Sequence, residues 1–335
     1  MSKINILGGG SWGLGLALLL NDNGHQVKIW EFNKKIVENI IKEGYNKNFS
    51  EEIKIDKSIS ITSDLGELFL ESFDMLVFAV PSQVMRGVAG KVSKLINQDL
   101  KLVINVAKGI EKDYLKRMSE ILEDELPDWL SDKIATLSGP SHAEEVARKM
   151  PTTVVLAGKN DKNLESAQKI FSNKYFRVYT SNDLIGVELG GAVKNIISIA
   201  AGIVDGLNLG DNTKGALLTR GIAEIKRLGV EMGAESDTFL GLSGIGDLIT
   251  TAISKHSRNR SVGFQLAQGV TLEQILNKMK MVAEGVETTK SVYRLKQKYR
   301  VSMPITEQIY QVLFNNKNPQ KAITDLMTRT LKDED

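Results

Sequence analysis

The stretch INILGGGSWGLG, Ile4 to Gly15, decides the fold. Ile4, Ile6 and Leu7 form a short apolar run suited to a buried parallel strand. Gly8, Gly10 and Gly13 then follow at G-x-G-x-x-G spacing, before Leu14, Ala17, Leu18 and Leu20 take up a helical period. The first glycine permits a tight turn, the second lets a pyrophosphate approach the backbone, and the third lets helix and strand pack closely. An anion is left on the helix N-terminus. The spacing alone fits a purely structural turn equally well. Context moves the balance toward a dinucleotide, because VKIW, Val27 to Trp30, supplies a second strand that leads into Glu31.

Outward from this loop, short apolar runs alternate with amphipathic segments: Ile59 to Thr62, Met75 to Val80, Leu102 to Ala107, Ile134 to Leu137, Thr153 to Leu156 and Phe176 to Tyr179. The alternation predicts a parallel sheet with crossover helices. Gly8 to Gly13, Glu31, Pro81 to Gln83, Lys108-Gly109 and Ser138 to His142 all fall at carboxyl ends of these strands, which in a doubly wound sheet line one crevice. After Asp183 the strand signals stop. Helices are expected over Asp183 to Asp205, Thr213 to Met232, Thr271 to Met279, Glu284 to Tyr299 and Ile305 to Phe314, with a Gly-rich packed segment at Leu240 to Ser254. The expected organisation is an α/β Rossmann-like doubly wound sheet over residues 1–183 followed by an all-α unit over 184–335.

Composition excludes several classes. With 43 basic against 41 acidic residues the net charge is only +2, so no general attraction to nucleic acid or acidic lipid is expected, and any anion site must be local. Cysteine is absent, which rules out disulfides and thiolate metal sites and suits a reducing cytoplasm. The 3 histidines, His25, His142 and His256, are scattered in the sequence, so no metal site is expected. Leu14 to Leu20 has only a weakly basic flank and no small-residue cleavage site after it, Asn21 to Gly24 reads as a turn, and no run approaches membrane-spanning length, so neither secretion nor membrane insertion is expected. The sequons at Asn48 and Asn259 would matter only in a secreted protein.

Three places can do chemistry. Within Asp183 to Asp205, Glu188, Gly191, Asn195, Ser198, Gly202 and Asp205 share one face, and Lys194 borders it inside an otherwise apolar helix. Such a lysine is either a snorkelling or ion-paired structural residue, or one whose desolvated ammonium has a pKa near neutrality and can exchange a proton. Asp247, in GLSGIGDLITT, is either the N-cap of the next helix or a carboxylate that holds and tunes a lysine. The basic hexamer KHSRNR, Lys255 to Arg260, reads as a solvated helix face by spacing, whereas Arg258 with Asn259 could grip a small phosphate.

These residues carry a family resemblance. G-G-G-S-W-G at Gly8 to Gly13, A-K-G-I-E at Ala107 to Glu111, S-G-P-S-H-A at Ser138 to Ala143 and G-G-A-V-K-N at Gly190 to Asn195 come first. D-N-T-K at Asp211 to Lys214, G-D-L-I-T-T at Gly246 to Thr251, S-R-N-R at Ser257 to Arg260 and V-A-E-G at Val282 to Gly285 follow in order. Together, over nearly the whole chain, they resemble the NAD(P)-dependent sn-glycerol-3-phosphate dehydrogenases of the bacterial soluble type. The resemblance implies interconversion of dihydroxyacetone phosphate and sn-glycerol 3-phosphate for glycerophospholipid synthesis, in a cytoplasmic homodimer. It makes Lys194 the general acid and base at the C2 oxygen, supported by Lys108 and Asp247. It gives Arg258 and Asn259 the substrate phosphate, with Gly139, Ser141, Thr251 and Ser257 completing the substrate pocket. Ser11, Trp12, Ala143, Val282 and Glu284 match cofactor-contact positions, alongside Gly8, Gly10 and Gly13, Lys108 and Arg258.

One departure concerns the cofactor. Many bacterial members place Arg or His after the second strand, where a cation holds the 2′-phosphate of NADP. Here the segment is Trp30-Glu31-Phe32-Asn33. Glu31 suits a ribose hydroxyl and repels a phosphate, so NAD(H) is expected, with Lys34 and Lys35 keeping NADP(H) open. Two other readings stand beside this one: a dehydrogenase of another small hydroxy acid, and a non-catalytic dinucleotide sensor. Lys108, Lys194 and Asp247 together speak against the sensor.

Overall fold

The computed structural model describes residues 1–279, 281–331 and 333–334. Lys280, Lys332 and Asp335, inside the expected 184–335 unit, lie outside the described residues. The first part runs β1 (Lys3–Leu7), α1 (Ser11–Asp22), β2 (Gln26–Trp30), α2 (Lys34–Glu43), β3 (Ser60–Thr62), β4 (Met75–Phe78), α3 (Met85–Val92), β5 (Leu102–Asn105), α4 (Met118–Glu125), β6 (Ile134–Ser138), α5 (Ala143–Ala147), β7 (Thr152–Gly158), α6 (Asp161–Phe171) and β8 (Phe176–Ser181). The strands form one sheet in the order β3-β2-β1-β4-β5-β6-β7-β8. Every strand of β4, β5 and β6 is buried along its length, as expected where helices cover both faces. The strand order reverses between β1 and β4, so their carboxyl ends open the ligand crevice of a doubly wound sheet.

The sheet is not wholly parallel. β6 pairs with β7 antiparallel, and β8 runs parallel to β7. The reason lies in the connection. α5 has only 5 residues, roughly 7.5 Å of helix at about 1.5 Å per residue, too short to return the chain along the strand. The chain therefore turns back at the end where it left: the Gly139 carbonyl accepts from Lys108 at the crevice, and Lys149 meets Asp22 at the far end of α1, at 2.6 Å.

The second part is helical: α7 (Leu184–Gly206), α8 (Gly210–Glu231), α9 (Asp247–Ile253), α10 (Arg258–Ala267), α11 (Leu272–Lys278), α12 (Glu284–Lys298), α13 (Pro304–Phe314) and α14 (Pro319–Met327). Asp183 starts α7 sharply by accepting from the Gly186 N–H at 2.8 Å. α7 is the axis of this half, and its 23 residues are buried apart from Ile185 and Asp205. The polar face read from the sequence is thus an interior face. By length and apolarity α7 could cross a membrane, contrary to the expectation that no run comes near that length, but here it is buried inside the protein. Its closest partner is α10, which opens within the basic hexamer Lys255 to Arg260. That helix is not a solvated face but packs Asn259, Val262, Gly263 and Leu266 inward, and α14 is not among the helices expected from the sequence. A Cβ on Gly202 would fall 1.9 Å from the Arg260 carbonyl oxygen, and one on Gly263 would fall 1.9 Å from that of Ile199. The two backbones therefore touch only because both positions lack side chains.

Candidate active site

The glycine loop separates structural from open positions. A Cβ on Gly8, whose φ is +114°, would meet the Ala79 carbonyl oxygen at 2.6 Å, and one on Gly13 would meet the Gly8 carbonyl oxygen at 1.9 Å. Gly10 has nothing within 4 Å of the same position. It also starts α1 with no side chain capping the helix, so the first-turn N–H groups face an open side. Ser11 is buried, and Trp12 carries a buried indole N–H with no partner among the described residues. This cradle fits the pyrophosphate of a dinucleotide.

Glu31 has a structural role at the end of β2. Its two carboxylate oxygens accept from the Gly9 and Asn33 N–H groups, each at 3.0 Å, so the buried side chain fastens the glycine loop to the end of β2. Phe32 beside it is 76% exposed, and Lys34 and Lys35 are exposed at the start of α2.

Lys108 is presented by the turn after β5, where Asn105 accepts from the Ala107 N–H at 2.9 Å. Its ammonium donates to the Gly139 carbonyl and to Asp247 Oδ2, both at 2.8 Å. Lys194, midway along α7, donates to Asp247 Oδ1 at 2.9 Å and to Thr251 Oγ1. Asp247 lies in the first turn of α9, following Gly246 rather than capping the helix, and Thr251 stands one turn later. Ser243 packs its backbone against Gly190, where a Cβ would lie 2.6 Å from the Ser243 carbonyl oxygen; the surrounding glycines thus serve close packing, and Asp247 is delivered to the lysines as a result.

Lys194 is 5% exposed. Burial lowers its pKa and the adjacent Asp247 raises it, with Lys108 adding repulsion, and the balance brings it down to about 8. Burial works against the Asp247 carboxylate, but the two ammoniums outweigh it and hold its pKa below the usual range. Such a lysine is poised between proton donor and acceptor near neutral pH.

The same site is laced to the helical half. Asn195 donates to the Lys108 carbonyl at 3.3 Å and accepts from Asn259 Nδ2 at 2.9 Å, while Asn259 Oδ1 accepts from the Gly285 N–H at 3.0 Å. Asn195 was visible on the polar face of α7 but not singled out, and Asn259 is partly committed to this chain of bonds. Ser257 caps α10, accepting from the Arg260 N–H at 3.2 Å. Arg258 is exposed at the start of that helix and donates to the Val282 carbonyl at 2.7 Å. Ser141 donates to the Gly139 carbonyl at 2.9 Å, and the Ala143 backbone lies against α1 at Gly15, where a Cβ would come 3.3 Å from its carbonyl oxygen. Glu284 accepts from the Ser82 N–H at 2.9 Å and from its hydroxyl, tying α12 to the turn after β4. Burial raises the pKa of that carboxyl. Ser82 was missed individually, though Pro81 to Gln83 marks its strand end. Two of the three histidines, scattered in sequence, come together: the His142 and His256 ring centroids are 6.1 Å apart.

A dinucleotide cradle at the switch point of a doubly wound sheet, facing a buried lysine on a helical partner, defines a two-domain nicotinamide-dependent dehydrogenase. The N-terminal model of NAD-dependent glycerol-3-phosphate dehydrogenase matches residues 3–164 and the C-terminal model matches residues 183–324. The chain belongs to the NAD-dependent glycerol-3-phosphate dehydrogenase family. It is 50% identical to the glycerol-3-phosphate dehydrogenase [NAD(P)+] of Bacillus velezensis, over 98% of this chain and 95% of that one. It is 49% identical to the enzyme of that name from Fusobacterium nucleatum, over 99% and 98%. The crystal structure of glycerol-3-phosphate dehydrogenase from Coxiella burnetii superposes with a TM-score of 0.92 at 36% identity, covering 98% of this chain and 99% of that one.

Proposed function

We propose that the chain reversibly reduces dihydroxyacetone phosphate to sn-glycerol 3-phosphate, supplying the backbone of glycerophospholipids. The observation that carries this reading is Lys194, buried at the crevice between Asp247 and Thr251 with its pKa brought down to about 8. The nicotinamide, when bound, supplies the hydride. Gly8, Gly10 and Gly13 with Ser11 and Trp12 hold the dinucleotide, and Ala143, Val282 and Glu284 border it. Lys194 gives its proton to the C2 oxygen in reduction and takes it back in oxidation. Lys108 stabilises negative charge developing on that oxygen, and Asp247 holds both ammoniums in place. Arg258 and Asn259, at the start of α10, hold the substrate phosphate, where the guanidinium and the helix N-terminus act together. Gly139, Ser141, Thr251 and Ser257 close the substrate pocket. The phosphate is a remote handle that positions C2 against Lys194.

Residues 1–183 serve as the dinucleotide-binding unit and 184–335 as the substrate-binding unit. The buried Glu31 carboxylate favours NAD(H) over NADP(H). The protein works in the cytoplasm as a homodimer and without nucleic acid, a reading that rests on the family resemblance and on the net charge of +2. The test is NADH oxidation with dihydroxyacetone phosphate against unphosphorylated dihydroxyacetone, repeated with NADPH. Equal rates on the two ketones would overturn the substrate assignment.

A further inference from the structure

His142 takes no part in the scheme above, yet its loop is fixed within the site on three sides. The Gly139 carbonyl holds Lys108, Pro140 lies beside Gly246, where a Cβ would be 3.9 Å from the Pro140 Cδ, and Ala143 lies against α1. On the fourth side the ring faces His256, in the segment leading to Ser257 and Arg258. The imidazole thus stands between the lysine and carboxylate cluster and the start of α10. Its Nε2 is buried and has no hydrogen-bond partner among the described residues. An unpaired buried nitrogen is costly, so its presence beside the reaction cluster calls for a functional explanation. Burial lowers the pKa of the ring; Lys194 and Lys108 lower it further, Glu145 and Glu144 oppose them, and the net direction is downward. His142 is therefore an uncharged hydrogen-bonding group at neutral pH.

The substrate has three polar ends. The phosphate suits Arg258 and the C2 oxygen suits Lys194, which leaves the C1 hydroxyl, a neutral group, to be matched by a neutral partner. We propose that His142 Nε2 hydrogen-bonds the C1 hydroxyl of dihydroxyacetone phosphate and makes the enzyme select ketones that carry it; the proposal rests on the substrate assignment above. A site built to bond a hydroxyl rejects the analogue lacking it, because its own polar group is then left unpaired.

The experiment compares kcat/KM for dihydroxyacetone phosphate and for 2-oxopropyl phosphate, which keeps the ketone and phosphate but lacks the C1 hydroxyl, in the wild type, His142→Phe and His142→Gln. The wild type should prefer dihydroxyacetone phosphate by about 100-fold or more. His142→Phe should cut that preference to below about 10-fold, through loss on dihydroxyacetone phosphate alone, and His142→Gln, which restores a hydrogen-bonding group, should recover part of it. A wild type inactive on dihydroxyacetone phosphate overturns the substrate assignment itself. An active wild type whose His142→Phe variant keeps the full preference overturns the role of His142 and leaves that assignment standing. Where the Phe variant does not fold, His142→Ala is read by the same ratio.

Discussion

Lys194 Nζ and Asp247 Oδ1 stand 2.9 Å apart, and the other oxygen of the same carboxylate holds Lys108 at 2.8 Å. One anion therefore serves two ammoniums, and the cluster as a whole carries a positive charge toward the crevice. The arrangement separates what Lys194 does electrostatically from what it does as an acid, because an arginine can replace the charge but not the proton. Arginine does not deprotonate in the working pH range. Lys194→Ala and Lys194→Arg should both bind NADH nearly as the wild type does, while kcat falls by about 100-fold to 10,000-fold, the range for loss of a general acid. Single-turnover NADH oxidation together with NADH titration checks this. An arginine variant with wild-type turnover would reduce Lys194 to an electrostatic role.

Protonation sets the direction of the pH effect. Reduction of the ketone needs Lys194 protonated, so its rate should fall as pH rises through about 8, and oxidation of the alcohol should gain over the same interval. The inflection belongs to the coupled cluster of Lys194, Asp247 and Lys108 rather than to one residue. Profiles of kcat in both directions between pH 6 and pH 10, roughly two units either side of the inflection, should mirror one another. Parallel profiles would remove Lys194 from proton transfer.

Asp247→Asn removes the shared anion and leaves Lys194 facing Lys108. Both the loss of attraction and the remaining repulsion lower the lysine pKa, so the alkaline limb for reduction should move to lower pH than in the wild type. Breaking a buried pair costs about 3–5 kcal/mol, and the partial exposure of Lys108 places the expected loss at the lower end, about 3 kcal/mol, read from the urea midpoint. A destabilised variant whose pH limb stays in place would confine Asp247 to a structural role.

The proposed preference for NAD(H) makes Glu31 the residue to change. Its carboxylate is spent on the Gly9 and Asn33 N–H groups, yet its charge still stands at the end of β2. Glu31→Gln keeps an acceptor and removes the charge, so kcat/KM for NADPH should rise relative to NADH by about 10-fold, equivalent to about 1.4 kcal/mol. Steady-state kinetics with both cofactors decides, and a wild type that already prefers NADPH would overturn the assignment.

The sheet was legible in the sequence because parallel strands buried on both faces read as apolar runs, and each of β4, β5 and β6 is such a run. The direction of β7 was not, since apolar content carries no sign; it follows from the shortness of α5, a property of the connection. In the helical half, α7 announced itself through its length, whereas α10 hid behind Arg258, Asn259 and Arg260. Its packing against α7 depends on Gly202 lying against the Arg260 backbone and Gly263 against that of Ile199, contacts that no local pattern records. Lys194 stood out as a charge within an apolar helix. The link through Asn195 and Asn259, and the meeting of His142 with His256, are products of tertiary packing alone.

Arg258 offers the sharpest division between binding and chemistry. It lies at the exposed start of α10, where its only protein hydrogen bond among the described residues is to the Val282 carbonyl, so its removal costs the fold little. A hydrogen bond to a charged group contributes about 1.5–3 kcal/mol, and the N-terminal N–H groups of α10 remain when the guanidinium is gone. Arg258→Ala should therefore raise KM for dihydroxyacetone phosphate by about 10-fold to 100-fold. The same variant should leave kcat/KM for unphosphorylated dihydroxyacetone nearly unchanged, because that ketone has no phosphate to lose. Inorganic phosphate or phosphite added with dihydroxyacetone should stimulate the wild type and fail to stimulate the variant, since a detached anion fills the same place as the substrate's own. If Arg258→Ala impairs both ketones equally, the guanidinium acts on the reaction centre or on the cofactor rather than on the phosphate.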